Sequence, residues 1–208
     1  MKKTAYALMA IAFLISCSSF SAKTEMMERR AIGKIKQAGL IYRVSTHSRI
    51  AAADYTKNFT HWLNACGSPK KVVLISECSP GLCSYAGDDD RFYQLSDTGR
   101  YQNFKAAGVI NSYLSKNGAE LKKLIADRNL DAIVVYEVYA IVSLEMQFIE
   151  FESVLMIMDN NLKRIYLDRQ ADSFESDEMS FEKMKTHVLD KISRRLIETL
   201  EDLDLVKR

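Results

Sequence analysis

The chain has 208 residues, 48% of them hydrophobic and 27% charged, with 29 basic and 27 acidic side chains. This composition excludes a disordered or low-complexity polymer, and the length suits one domain with a sizeable core. The near balance of charge excludes the basic footprint that nucleic-acid binding needs.

The chain opens MKKTAYALMAIAFLISC, where Lys2 and Lys3 precede an apolar run from Ala5 to Ile15, the layout of a secretory signal. That run is shorter than the roughly 20 residues a spanning helix needs. It ends in Leu14-Ile15-Ser16-Cys17, which resembles the lipobox of bacterial lipoproteins. The resemblance implies that residues 1–16 are a signal peptide and that Cys17 carries the lipid and begins the mature chain. Ser18 in place of Asp implies sorting to the outer membrane, with the domain facing the periplasm. The alternative is an ordinary signal-peptidase site at Ser19-Phe20-Ser21. Loss of Lys2 and Lys3 takes the 29 basic side chains to 27, against 27 acidic ones, so the mature chain is near neutral. Several acyl chains together hold a protein firmly at a bilayer without a spanning helix.

Residues 17–28 read as the lipidated cysteine and a polar tether, and residues 29–208 as a single periplasmic domain. Met27, Ala31 and Ile35, spaced by four among Arg29, Arg30, Lys34 and Lys36, predict a basic helix over 27–38 that ends at Gly39. Leu40 to Thr46 alternates and reads as a strand. Tyr55, Phe59, Trp62, Leu63 and Cys66 form a helical stripe that nothing polar meets, so it is assigned to the core. A second strand is expected over KKVVLISE, residues 70–77.

Residues 79–100 carry Pro80, Gly81, Gly87 and the run Asp88, Asp89, Asp90, an unpatterned connection of a length that is either functional or mobile. Two helices are then expected, near 102–114 and 118–129, the second opened by Asn117 and Glu120 in capping-box spacing. Asp131 to Val142 and Met146 to Met158 are apolar on both faces, as central strands covered by helices would be. The turn signal Asp159-Asn160-Asn161 leads into KRIYLDRQ, so strands three to five form an antiparallel meander. After the polar linker ADSFESDE comes a long helix over 178–203, its buried face running through Phe181, Met184, Val188, Ile192, Leu196, Leu200 and Leu203. The fold class is α/β in the α+β sense, a single mixed sheet of about five strands packed by helices.

Cys78 and Cys83 are the first candidates for chemistry. Export places them, with Cys66, in an oxidising compartment where disulfides persist. A strand over 70–77 would hold Cys66 and Cys78 roughly 25 Å apart. A Cys78–Cys83 bond closes a small loop through Pro80-Gly81, for about 2 kcal/mol in the chain-entropy view. Free thiols and a metal or redox site remain as alternatives; the spacing is not Cys-x-x-Cys, and His47, His61 and His187 have no zinc spacing.

Glu137, Glu150 and Glu152 are the second candidates. A two-residue turn at Ser143-Leu144 would set Glu137 across from Glu150 with Glu152 alongside, and close carboxylates can divide into a general acid and a general base. The following hairpin would then put Arg169 opposite Glu152, which favours a structural salt bridge on a solvated sheet face. The run Asp88 to Asp90 lacks the alternation and terminal Glu of a calcium loop, and no nucleophile or phosphate-cradling motif occurs in the chain. No metal or cofactor is expected.

Leu121 to Val135 (LKKLIADRNLDAIVV), Val154 to Tyr166 (VLMIMDNNLKRIY) and the closing amphipathic helix are similar to a group of bacterial envelope lipoproteins. The group comprises the curli-secretion type, the penicillin-binding-protein activators and the N-terminal domain of the Tol-system propeller protein. Over roughly residues 40–203 the resemblance implies a fold that serves assembly and partner binding. The turn has no Gly after Asp159 and the cysteine loop has no counterpart there, so no pore-forming or activator role is carried over. The expected function is therefore a non-enzymatic, membrane-anchored lipoprotein that binds another envelope component or itself. The contact surface would be the loop from Cys78, with Asp88, Asp89, Asp90, Phe92, Tyr93 and Tyr101. The alternative is an envelope hydrolase that uses the three glutamates.

Overall fold

In the computed structural model, residues 21–46, 61, 64, 71–75, 106–143, 148–175 and 179–207 are described. The strands are β1 (Ser21–Met27), β2 (Ala38–Thr46), β3 (Val72–Leu74), β4 (Ala132–Ser143), β5 (Phe148–Asp159) and β6 (Arg164–Glu175). Helices α1 (Arg29–Ile32), α2 (Ala106–Arg128) and α3 (Phe181–Asp202) join them. Among the described residues the strands form one sheet in the order β1-β6-β5-β4-β2-β3.

β4 and β5 sit at its middle because neither has a polar face to offer water. Every residue from Ala132 to Val138 is buried, and alternate side chains enter two different cores. Val134, Tyr136 and Val138 pack with Leu155, Ile157 and the α3 residues Met184, Val188, Ile192, Leu196 and Leu200. Ile133 and Val135 pack with Val154, Met156, Met158 and Leu167 against Leu121 and Ile125 of α2. The expected meander is present, β4 to β5 to β6, each pair antiparallel. β2 lies parallel to both β4 and β3, which makes the sheet mixed.

Several local expectations are corrected. The stretch read as tether is a strand from Ser21 onward, antiparallel to β6, because the free edge of β6 supplies hydrogen-bond partners that the polar sequence SAKTEMM does not advertise. The basic helix over 27–38 is one turn long. Ile32, its last residue, and Ile35 just beyond it are buried without extending it. Gly39 is no helix stop: it lies inside β2, where a Cβ would come within 2.7 Å of the Leu130 side chain. The two helices expected between 102 and 129 are one, running through Asn117 and Gly118. β3 is shorter than the expected strand over 70–77, and β6 extends through Glu175, taking half of the expected linker. His61 and Asn64 are exposed helical positions; the rest of the 55–66 stripe lies outside the described residues.

α2 and α3 end alike. Asn129 and Asp204 adopt left-handed backbone with φ of 51° and 56°. Leu130 N–H donates to Ile125 O and Leu205 N–H donates to Leu200 O, which closes a Schellman cap on each helix and buries the leucine that follows. The β5–β6 turn is held by Asp159, whose carboxylate accepts from the N–H groups of Asn161 and Lys163 at 2.9 Å each. No helix among the described residues is long and apolar enough to cross a membrane.

Candidate functional site

β6 reads Tyr166-Leu167-Asp168-Arg169-Gln170-Ala171-Asp172, and its even positions turn toward α3. A strand facing a helix would ordinarily present apolar side chains there. Instead Asp168, Gln170 and Asp172 are only 5%, 6% and 3% exposed. A buried carboxylate is costly unless hydrogen-bonded or paired, and these are provided for. Asp168 Oδ1 accepts from the Thr24 hydroxyl of β1 at 3.2 Å, and its Oδ2 accepts from Gln170 Nε2 at 2.8 Å. The Asp172 carboxylate pairs with Lys191 Nζ of α3.

Two tyrosines complete this layer. The Tyr136 hydroxyl donates to the Ile192 carbonyl at 3.5 Å. Burial drives its titration far above the ordinary tyrosine range, against the opposing pull of its Ser153 hydrogen bond and the Arg195 charge. Burial, reinforced by the Asp168 carboxylate, pushes Tyr166 up to about 12, opposed by a Thr24 hydrogen bond. Both hydroxyls therefore stay protonated at neutral pH and remain donors.

Along the seam between β1, β6 and the C-terminal half of α3 opens a cleft of about 630 Å³, lined among others by Thr24, Arg29, Gln170, Arg195, Thr199 and Asp202. Its charged lining is mixed, Arg29 and Arg195 against Asp168, Asp202 and Asp204. A second cleft of about 550 Å³ lies nearer the start of α3, where Asp172, His187, Lys191, Arg194 and Glu198 meet, and Arg195 borders both. The His187 ring packs over Phe174 at a centroid distance of 4.6 Å. Hydroxyl, amide, carboxylate and guanidinium groups side by side suit hydrogen bonding to a polar ligand or an extended peptide. Among the described residues no cluster of three or more His, Cys, Asp or Glu is placed to hold a metal ion.

The glutamates expected to converge are distributed by the register. Glu137 is buried on the α2 side of β4, across from Val154 and beside Arg43 of β2. Glu152 stands across from Tyr139, and Glu150 across from Ile141, two further rows away. The connection between β4 and β5 is longer than two residues, which moves the pairing four positions along the strand. In the next hairpin, whose register shifts between Ile157 and Met158, Arg169 faces Val154 rather than Glu152. The Asp168, Gln170, Asp172 series was not anticipated, although polar residues at every second position of a strand bounded by Ile165 and Leu167 are its signature. Cys17, Cys78, Cys83, Asp88, Asp89, Asp90, Phe92, Tyr93 and Tyr101 lie outside the described residues.

No protein-family model and no curated protein matches the chain. Among solved structures it is similar to a PelC dodecamer from Paraburkholderia phytofirmans, with 8% identity, a TM-score of 0.43, and coverage of 83% of this chain and 94% of that one. It is also similar to the lipoprotein GNA1162 from Neisseria meningitidis, at 13% identity and a TM-score of 0.29, covering 79% of this chain and 99% of that one.

Proposed function

We propose that this protein is a non-enzymatic lipoprotein of the bacterial cell envelope, held by acylated Cys17 at the outer membrane, whose periplasmic domain binds another envelope component. One observation carries the reading. The strand that follows the Leu14-Ile15-Ser16-Cys17 motif, β1, is itself a wall of the polar cleft, contributing Thr24 and Met27. In this proposal the anchor precedes, by a few residues, the strand that lines the binding surface. The loop rooted at Cys78 and Cys83, with its aspartates and aromatics, is a second contact surface in this proposal, stapled by a disulfide between the two cysteines.

In the alternative, a hydrolase would use Glu137, Glu150 and Glu152, which the register sets in successive rows of one face rather than directly opposite one another. The test is crosslinking in the native cells with a photoreactive residue at Thr199 or at Phe92, followed by identification of the captured species. A discrete envelope protein captured from either position supports the proposal. Capture that is unchanged by Cys17→Ser, which removes the acylation site, overturns the anchored reading.

A further inference from the structure

The position of β1 constrains how the domain meets its membrane. Ser21 pairs with Ala171 and Met27 with Tyr166, so β1 starts beside the end of β6 and runs back along it. The same end of the sheet holds the last residues of β4, the first of β5 and, after Glu175, the start of α3. At the opposite end lie α1, the Asn160-Asn161 turn, Asp202 at the close of α3 and Asp204 just after it.

Ser18, Ser19 and Phe20 alone separate Cys17 from Ser21. Consecutive Cα atoms are 3.8 Å apart, so four links reach at most about 15 Å, however the segment is arranged. From Ala171 back to Arg164, where β6 begins, the strand rises about 23 Å at roughly 3.3 Å per residue, and the Asn160-Asn161 turn lies beyond that. A tether so short against a sheet so long holds one end at the lipid.

We infer that the sheet end carrying Ser21, the close of β6 and the start of α3 faces the phospholipid bilayer, and that the end carrying α1 and the Asn160-Asn161 turn projects into the periplasm. The inference rests on acylation of Cys17. The larger cleft, bordered by Met27, Arg29 and Asp202, then opens on the far half, where a soluble or opposite-membrane partner meets it. Met27, 40% exposed, stands at that mouth, away from the lipid. The Lys191–Asp172 pair and the smaller cleft occupy the near half.

The test uses the full chain, acylated in a bacterial host and placed in vesicles of phosphatidylethanolamine and phosphatidylglycerol whose headgroups carry a short-range energy acceptor. A fluorescent amino acid is introduced at Ser180 or at Asn160, both exposed, by codon reassignment, since Cys66, Cys78 and Cys83 rule out simple thiol labelling. Transfer to the headgroups is expected to be several-fold stronger from Ser180. Equal transfer, or stronger transfer from Asn160, overturns the orientation. Inserting ten Gly and Ser residues after Ser19 adds up to about 33 Å of reach and is expected to erase the difference. A difference that survives the insertion overturns the tether as its cause. Mass spectrometry of the N-terminal peptide separates the two levels: an acylated Cys17 with the wrong transfer pattern removes the orientation alone, whereas an unmodified Cys17 removes the anchor with it.

Discussion

The two faces of the sheet solve different problems with the same strands. Toward α2, the buried side chains of β4, β5 and β6 are mainly Ile133, Val135, Val154, Met156, Met158 and Leu167, an apolar layer interrupted by Glu137 and, across Val154, by Arg169. Toward α3, the apolar packing of Val134, Val138, Leu155 and Ile157 gives way, along β6, to Asp168, Gln170 and Asp172, with Ser153 and Ser193 buried nearby. An apolar layer needs only shape to be stable. A buried polar layer must be satisfied group by group, and replacing it with hydrophobic residues is often neutral or stabilising. Retaining one beside a cleft therefore points to a use other than holding the fold.

The comparison can be broken most forcefully on the α2 side. Leu121 is fully buried there, and Leu121→Ala removes its packing and leaves a void. Urea denaturation is expected to show a loss of about 2–5 kcal/mol. On the α3 side, Asp168→Ala leaves the Thr24 hydroxyl and the Gln170 amide without their acceptor, with an expected loss of about 1–3 kcal/mol. Exchanging Asp168 and Gln170 together for leucine sharpens the contrast. Stability should return to within about 1 kcal/mol of the parent, because the Gln170 amide is removed together with its acceptor and the exposed Thr24 hydroxyl can turn to water. Crosslinking from Thr199 should nevertheless fail. A double variant that captures its partner normally would show that the polar layer is structural.

The same contrast explains what the sequence made legible. β4, β5 and α3 were readable because apolar continuity and a four-residue stripe are local signals, and a buried centre has no other way to be written. β1 was not, because SAKTEMM becomes a strand only through the edge of β6, some 140 residues away in sequence. Register failed for a related reason: the Glu137, Glu150, Glu152 arrangement depends on the length of a turn, and the parity of the pairing was right while its offset was not. The α2 helix was split in expectation because Asn117 and Glu120 imitate a cap, yet Leu121 and Ile125 beyond Gly118 bury on the sheet and hold the helix through. The polar layer was visible as spacing in β6 but not as a site, since only the packing of α3 and β1 around it makes a cleft.

The tyrosines give the contrast a dependence on pH. Both Tyr136 and Tyr166 have folded-state titrations raised above the unfolded value near 10, so the folded protein holds those protons more tightly. Below about pH 10 both states are protonated and nothing is lost. As pH rises from there through the Tyr166 value of about 12, the unfolded state releases protons first and stability falls. Denaturation followed between those limits should show this decline, and Tyr136→Phe should make it shallower. An unchanged slope would mean that Tyr136 titrates as an exposed tyrosine.

The smallest effect expected separates the two helix ends. Asn129 and Asp204 hold the same left-handed position, which glycine adopts without steric cost, although glycine also loosens the unfolded chain. Asn129 makes no ion pair, and Asn129→Gly should raise stability by up to about 1 kcal/mol. Asp204 differs because Lys71 Nζ donates to its carboxylate at 3.0 Å, a hydrogen bond that holds the carboxyl below its usual range. Asp204→Gly relieves the same backbone but releases Lys71, so its gain should be the lesser of the two. Thermal unfolding of both variants measures the difference. A larger gain at Asp204 would mean that the lysine contact contributes nothing and that the left-handed turn at the end of α3 is the more strained of the pair.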